Sequence, residues 1–429
     1  MASGKKGKND EAWEKLFDKY GIVKEISRQN RFVISADQIK EFREPRLMAK
    51  FDHTINLPRI FLDNRLAILP VSRGQYCIAH FDCYQPIAPV NAQVNRFLLP
   101  DHIRSINPAD ITSEAVSINC ALAAGIFADF TGEGNLLPTV SGRMGSGCFE
   151  FNISNRKAGG KMPLSVANVQ IEIDAALEGK DSLVLVEAKR DIAEDFIIRQ
   201  LFYPFKTWSQ RVPKRVRTIF FTYSNSVFSL YEYAFADAAD YNSIQLLRHK
   251  NYSIDTADIS LRELANVSAT VTPRDEPVLP FPQADSFARV INLCEILYQG
   301  SLNRDDITQE YAFDVRQTGY YTDAGRYLGL VEKKSVERTP VYSLTEKCRN
   351  ILELDYKKRQ LALCGCIFEH GVFQAVFKEY LKTGTMPDKH EIVLHMKQAN
   401  LYNIDSESTY YRRASTVGSW LHWVLSLTA

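Results

Sequence analysis

The stretch Leu183-Val-Leu-Val-Glu-Ala-Lys189 constrains this chain more than any other. A continuous aliphatic run, of the kind that fills a strand covered on both faces, ends abruptly in two charged residues. It follows Val169-Gln-Ile-Glu-Ile-Asp174 and a polar turn around Gly179, Lys180 and Asp181, so the two segments read as a β-hairpin. A buried strand that breaks its own apolar pattern at one end marks a place where chemistry overrides local folding rules.

Side chains alternate across a strand, so Glu187 and Lys189 share one face, and Glu172 and Asp174 share one on the neighbouring strand. With the turn centred between Lys180 and Asp181, Asp174 is expected opposite Glu187, and Glu172 opposite Lys189. Opposed carboxylates repel, and a divalent cation between them removes the conflict. Mg2+ prefers hard oxygen ligands and keeps several waters, so two carboxylates and a phosphate oxygen suit it. A lysine two residues past the carboxylate is placed to orient or deprotonate water and to neutralise charge on a phosphorane. The alternative for Glu-x-Lys alone is a solvated strand end with surface salt bridges.

The net charge of +1 neither supports nor excludes a polyanion partner, which must be met by local basic patches. Met1 to Asp10 is basic and polar with no apolar stretch behind it, so export is not expected. The longest apolar run, Cys120 to Ala128, is far shorter than a membrane span, and the expected location is cytoplasmic. Eight scattered cysteines indicate no disulfide framework; Cys364, Cys366 and His370 resemble half a metal site without a second ligand pair.

The expected fold class is α/β (α+β) and multidomain. Trp13 to Tyr20 reads as a helix, and Arg31 to Ala36 and Leu66 to Phe81 as strands, giving a small α+β domain over 1–108. Prolines 86, 89, 100 and 108 end it. A Ser113-capped helix to about Asp129, a Gly-rich turn over Ser141 to Gly147 and strand-like segments to Phe235 make an αβ unit over 109–268. Four prolines between Val271 and Pro282 suggest a linker over 269–284, followed by units over 285–356 and 357–429.

Asp174, Glu187 and Lys189 resemble the acid and E-x-K of the PD-(D/E)XK nuclease superfamily. The text VEAKRDIAEDFIIRQLFYPF, then VRTIFFTYSNSVFSLYEYAF, resembles bacterial type II restriction endonucleases, as does the C-terminal STYYRRAST. The resemblance implies a core of mixed sheet flanked by helices over 109–268, cutting double-stranded DNA with Mg2+ to leave 5′-phosphate ends. It also implies a glutamate on the preceding helix in the metal shell, at Glu114, and a Gln200 that steadies the site. Glu114 reads equally as a first-turn acid favoured by the helix dipole, and Gln200 as an exposed helix residue. Ile173 stands where the superfamily usually has proline.

Lys206, Arg211, Lys214, Arg215 and Arg217 form an acid-free basic stretch suited to phosphates, or to solubility alone. Ile307 to Phe313 and Arg316 to Leu330 read as two helices. A hairpin from Val331 to Leu344, with Lys333, Lys334 and Arg338, follows them as in a winged helix. Arg316, Gln317, Tyr320, Tyr321 and Arg326 would then lie on or near the reading helix; the alternative is a module used for packing. Lys389 to Val424 suggests a helix-turn-helix carrying Tyr410, Tyr411, Arg412 and Arg413, with Trp420 and Trp423 turned to the core. Arg43, Arg46, Lys50, Arg59 and Arg73 are further candidate DNA contacts.

Cutting both strands implies a homodimer, and a restriction activity implies a cognate DNA methyltransferase as functional partner; no membrane partner is expected. Two other functions fit the same residues: a PD-(D/E)XK nuclease for modified or branched DNA, and a noncatalytic winged-helix DNA-binding protein.

Overall fold

The computed structural model describes residues 7–87, 93–108, 110–254, 258–310, 315–337, 339–399 and 401–428; the side chains of residues 309, 310, 315 and 316 are outside that description, as is Arg338. The chain is mixed α/β with several sheets. Among the described residues no helix is long and apolar enough to cross a membrane.

The largest sheet has seven strands. In spatial order they are Val94–Phe97, Ile244–Ile254, Val227–Phe235, Arg215–Ser224, Ser182–Lys189, Gln170–Glu178 and Leu137–Gly145. Strand Ser182–Lys189 runs antiparallel to Gln170–Glu178 and parallel to Arg215–Ser224. A parallel neighbour needs a crossover, and helix Arg199–Ser209 supplies it. The aliphatic run explains the central position: Leu183 and Leu185 pack into one core, and Val184 and Val186 into the core on the other face.

The hairpin register is the one expected from its turn, pairing Leu183 with Glu178, Val184 with Leu177, Leu185 with Ala176 and Val186 with Ala175. Beyond that pair the outer strand slips. Ile171 and Ile173 pack in the first core, but Ala175 and Leu177 pack in the second, so the alternation breaks at Asp174. The adjoining strand Leu137–Gly145 carries register shifts around Val140, and Gly142 adopts φ +92°. Residues 141–147, expected as a Gly-rich turn, are therefore mostly a bulged edge strand, where glycine supplies a backbone angle that other residues avoid. The helix expected from Ser113 to Asp129 is broken by Gly125 at φ +79° into Glu114–Ala123 and Ile126–Thr131.

The N-terminal helix spans Lys8–Tyr20 and buries Trp13, Leu16 and Phe17. It belongs to a core shared with strands Ala67–Ser72 and Gln75–Ala79, and with the inserted hairpin Cys148–Ser154 and Lys161–Ala167. All four strands join one five-stranded sheet, so a single core spans the 108/109 boundary expected from the prolines.

A third core runs from Ile259 to Val424. The Pro-rich segment expected as a linker is packed into it: Phe281 stacks on Phe373, and Glu276 accepts a short hydrogen bond from Tyr327. Helix Phe287–Tyr298, strand Leu302–Asn303, helices Arg304–Glu310 and Val315–Tyr327, and the antiparallel strands Val331–Val336 and Thr339–Leu344 follow in order. Helices Lys389–Gln398 and Glu407–Ser426 complete the chain, the second capped by Ser406 and anchored by the buried Trp420.

Candidate active site

At the end of the central strand, Lys189 Nζ lies 2.5 Å from Glu187 Oε1 and 3.2 Å from the Ala188 carbonyl oxygen. Gln200, on the crossover helix, donates from Nε2 to the same Glu187 oxygen at 2.6 Å. Asp174 accepts the Ala188 N–H at Oδ2, 2.7 Å away. The two strands thus bring Asp174, Glu187 and Lys189 together, and the following helix adds Gln200. Glu172 stays outside this group. It is exposed and pairs with Arg143 at 3.4 Å, because the slip at Asp174 interrupts the alternation that would have placed it opposite Lys189.

Burial pushes the Glu187 carboxyl up to about 7; the charge of Lys189 opposes this and that of Asp174 adds to it. Burial works against charge on Lys189, yet Glu187, Asp52, Glu114 and Asp174 outweigh it and hold the amine well above its usual range. In its protonated form the amine is suited to neutralise charge and to orient a water. Glu114, in the first turn of its helix, is half-buried; burial raises its pKa, with Lys189 and Asp174 among the charges acting on it.

The oxygens of Asp174, Glu187 and Ala188 are a hard donor set of the kind magnesium accepts. Two buried acceptors nearby, Gln200 Oε1 and Asp52 Oδ1, have no hydrogen-bond partner among the described residues, so a water or a hydrated cation would complete them. Among the described residues, no group of three or more His, Cys, Asp or Glu side chains is placed to hold a metal ion by itself. Two carboxylates with waters and a phosphate fit the residues present.

Asp52 was not legible as a site residue. Its segment is strapped to the loop that follows Lys189: Ile197 N–H donates to the Asp52 carbonyl at 2.8 Å, and Thr54 N–H to Asp195 Oδ1 at 3.0 Å. His53 joins the same loop through Asp191, 3.3 Å from Nε2, and through a short contact from Nδ1 to the Asp195 carbonyl. Sequence separations above 140 residues leave no local pattern that would have revealed this.

The candidate DNA contacts separate by burial. Tyr321 is 7% exposed under the Arg289 guanidinium, and Gln317 accepts from Arg289 at 3.4 Å, so both turn inward and not toward a groove. They stand four apart on the helix and share its packed face. Tyr320 is exposed, Arg326 pairs with Asp323 at 2.9 Å, and the Arg316 side chain lies outside the described residues. Arg412 is exposed; Arg413 is half-buried, with Nε and Nη1 unpartnered among the described residues. Burial first, and Arg412 next, lower the Arg413 pKa, with Tyr320, Asp285 and Asp323 acting in opposition.

Lys214 is engaged by Glu178 and the Gly179 carbonyl at 2.7 and 2.9 Å, whereas Arg215 is exposed. Arg217 is buried against Glu232 and cannot track phosphates. Exposed Lys50 lies 3.9 Å from Asp52; exposed Arg59 pairs with Asp63, and Arg73 is exposed on the turn between two strands. Cys364, Cys366 and His370 are buried, and His370 is committed to Arg274 and Tyr327.

No curated protein and no solved structure matches the chain. Three family models match successive parts of it, each described as a domain of unknown function: DUF6996 over residues 10–78, DUF6997 over 79–253, which holds the acids, Lys189 and Gln200, and DUF7226 over 289–429.

Proposed function

We propose that this protein is a magnesium-dependent DNA endonuclease of the PD-(D/E)XK class, acting as a type II restriction enzyme. The carrying observation is the junction of Asp174, in the middle of one strand, with Glu187 and Lys189 at the end of its neighbour, and with Gln200 bonded to Glu187 from the crossover helix. The mixed sheet flanked by helices, the coarse form expected of that core, supports the reading, with the hairpin 148–167 placed in another sheet. The order from helix Phe287–Tyr298 to strand Thr339–Leu344 supports a winged-helix module.

Bound Mg2+ would polarise the scissile phosphate and lower the pKa of an attacking water. Asp174 and Glu187 would hold it, with the Ala188 carbonyl beside them. Lys189, protonated, offsets charge that builds on the phosphate oxygens, and Gln200 fixes the Glu187 rotamer through its Nε2–H bond. Tyr320, Arg412, Arg413 and Arg215 supply the accessible candidates for duplex contact. A homodimer would place one such site on each strand.

The test is digestion of supercoiled plasmid by the full-length protein with and without Mg2+, followed by run-off sequencing of the ends. Discrete, magnesium-dependent cuts bearing 5′-phosphates are expected, with Lys189→Ala slower by about 100-fold or more. A parent protein that leaves plasmid and genomic DNA intact, or a Lys189→Ala variant that cuts equally well, would overturn the assignment.

A further inference from the structure

Helix Phe287–Tyr298 turns a polar face, the buried Arg289 and Asn292 and the half-buried Glu295, toward the catalytic sheet. These residues recur every three positions and so share one side of the helix. Asn292, 1% exposed, donates from Nδ2 to the Arg190 carbonyl at 2.7 Å and accepts the Ile192 N–H at Oδ1, 3.1 Å away. One amide thus grips both sides of the backbone immediately after Lys189. Glu295 accepts from Ser224 Oγ at 2.6 Å and from Asn225 N–H at 2.8 Å, at the end of the parallel neighbour strand. The helix therefore touches the carboxyl ends of both parallel strands, one of which carries Glu187 and Lys189.

Arg289, 5% exposed, reaches in two directions. Its Nη1 lies 3.4 Å from Glu194 Oε1 in the post-Lys189 loop and 3.4 Å from Gln317 Oε1 on helix Val315–Tyr327, and its guanidinium covers Tyr321 at 5.1 Å. Apolar side chains would hold the modules together without the desolvation cost of these groups. Directional hydrogen bonds fix one relative placement, which packing alone leaves looser.

We infer that Arg289 and Asn292 are positioning residues that couple helix Val315–Tyr327 to the Lys189 strand, so that DNA seated on that helix sets the alignment of the catalytic group. This rests on the nuclease reading above. Neither residue touches the reacting atoms; Asn292 acts through the backbone of 190–192 and Arg289 through the Glu194 side chain.

The test uses full-length Arg289→Met, Arg289→Lys and Asn292→Asp, with plasmid DNA as the probe. Filter binding without Mg2+ gives affinity, and single-turnover cutting with Mg2+ gives rate. Arg289→Met and Asn292→Asp are expected to bind within about twofold of the parent yet cut at least about tenfold more slowly at saturating DNA, with Arg289→Lys recovering part of the loss. Glu194→Gln, at a side chain 76% exposed, removes one end of the link without threatening the fold and is expected to slow cutting in the same sense. If the buried-site variants do not fold, an unchanged Glu194→Gln rate overturns the coupling. Cutting that falls only in step with binding, or does not change, overturns it while leaving the nuclease reading intact. A parent that cuts no DNA overturns both.

Discussion

His53 Nε2 sits 3.3 Å from Asp191 Oδ2, joining the N-terminal strap to the loop behind Lys189. Burial alone would lower the imidazole pKa, but Asp191, the Asp195 carbonyl and Asp52 outweigh it and raise the value. Asp191, despite burial, is held low by His53 and Lys189. A group whose pKa rises on folding stabilises fully below its unfolded value, about 6.5 for histidine, and that stabilisation disappears as pH rises through the folded value. Melting temperature is thus expected to fall from pH 6 upward through that window, and His53→Gln to flatten the fall. Identical slopes in parent and variant would remove His53 as the source.

Asp52 carries a buried oxygen with no hydrogen-bond partner among the described residues, and Lys50 and Arg199 stand 3.9 Å from its carboxylate. A polar atom left unbonded in the fold beside the proposed catalytic group marks a place where function can override stability. Asp52→Asn is expected to leave stability unchanged or raise it by about 1 kcal/mol while slowing plasmid cutting about tenfold. Calorimetry and cutting rates that decline together would contradict this.

Arg217 forms two hydrogen bonds with Glu232, at 2.7 and 2.9 Å, both residues being nearly excluded from solvent. Removing one partner strands a buried charge. Glu232→Gln is expected to cost about 3 kcal/mol in urea unfolding, and the paired replacement Arg217→Leu with Glu232→Leu much less than the sum of the two single losses. Additive losses would show that the pair does not act as a unit.

Arg412 and Arg413 lie on helix Glu407–Ser426, Arg412 exposed and Arg413 half-buried. If they meet phosphates, Arg412→Ala will weaken plasmid binding uniformly across sequences and reduce the slope of log K against log salt by about 1. A salt dependence identical to that of the parent would leave them as surface charge.

The hairpin was legible because strand periodicity and turn chemistry act over a dozen residues; Asp174, Glu187 and Lys189 followed directly. Glu172 was misplaced because the alternation of strand Gln170–Glu178 breaks at Asp174, where its register with Leu137–Gly145 shifts between Val140 and Gly142, and a bulge of that kind has no signature in the hairpin's own sequence. Tyr321 and Gln317 read as groove residues because a helix does not announce which of its faces is covered; Arg289 decides it. The Pro-rich segment 271–282 looked like a tether, since prolines signal a lack of regular structure but not a lack of packing. The contribution of Asp52 and His53 depends wholly on tertiary proximity.

Strands Cys148–Ser154 and Lys161–Ala167 help complete the sheet begun by residues 32–79. On the ribosome, the first eighty residues must therefore wait with an open β-edge until nearly ninety more have emerged. A fragment ending at residue 108 would keep Phe81, Leu69 and their neighbours partly uncovered, making it prone to self-association. The amino-terminal third matures only as the segment leading to the hairpin of Asp174 and Glu187 is made, so a product truncated before it is expected to lack a stable fold.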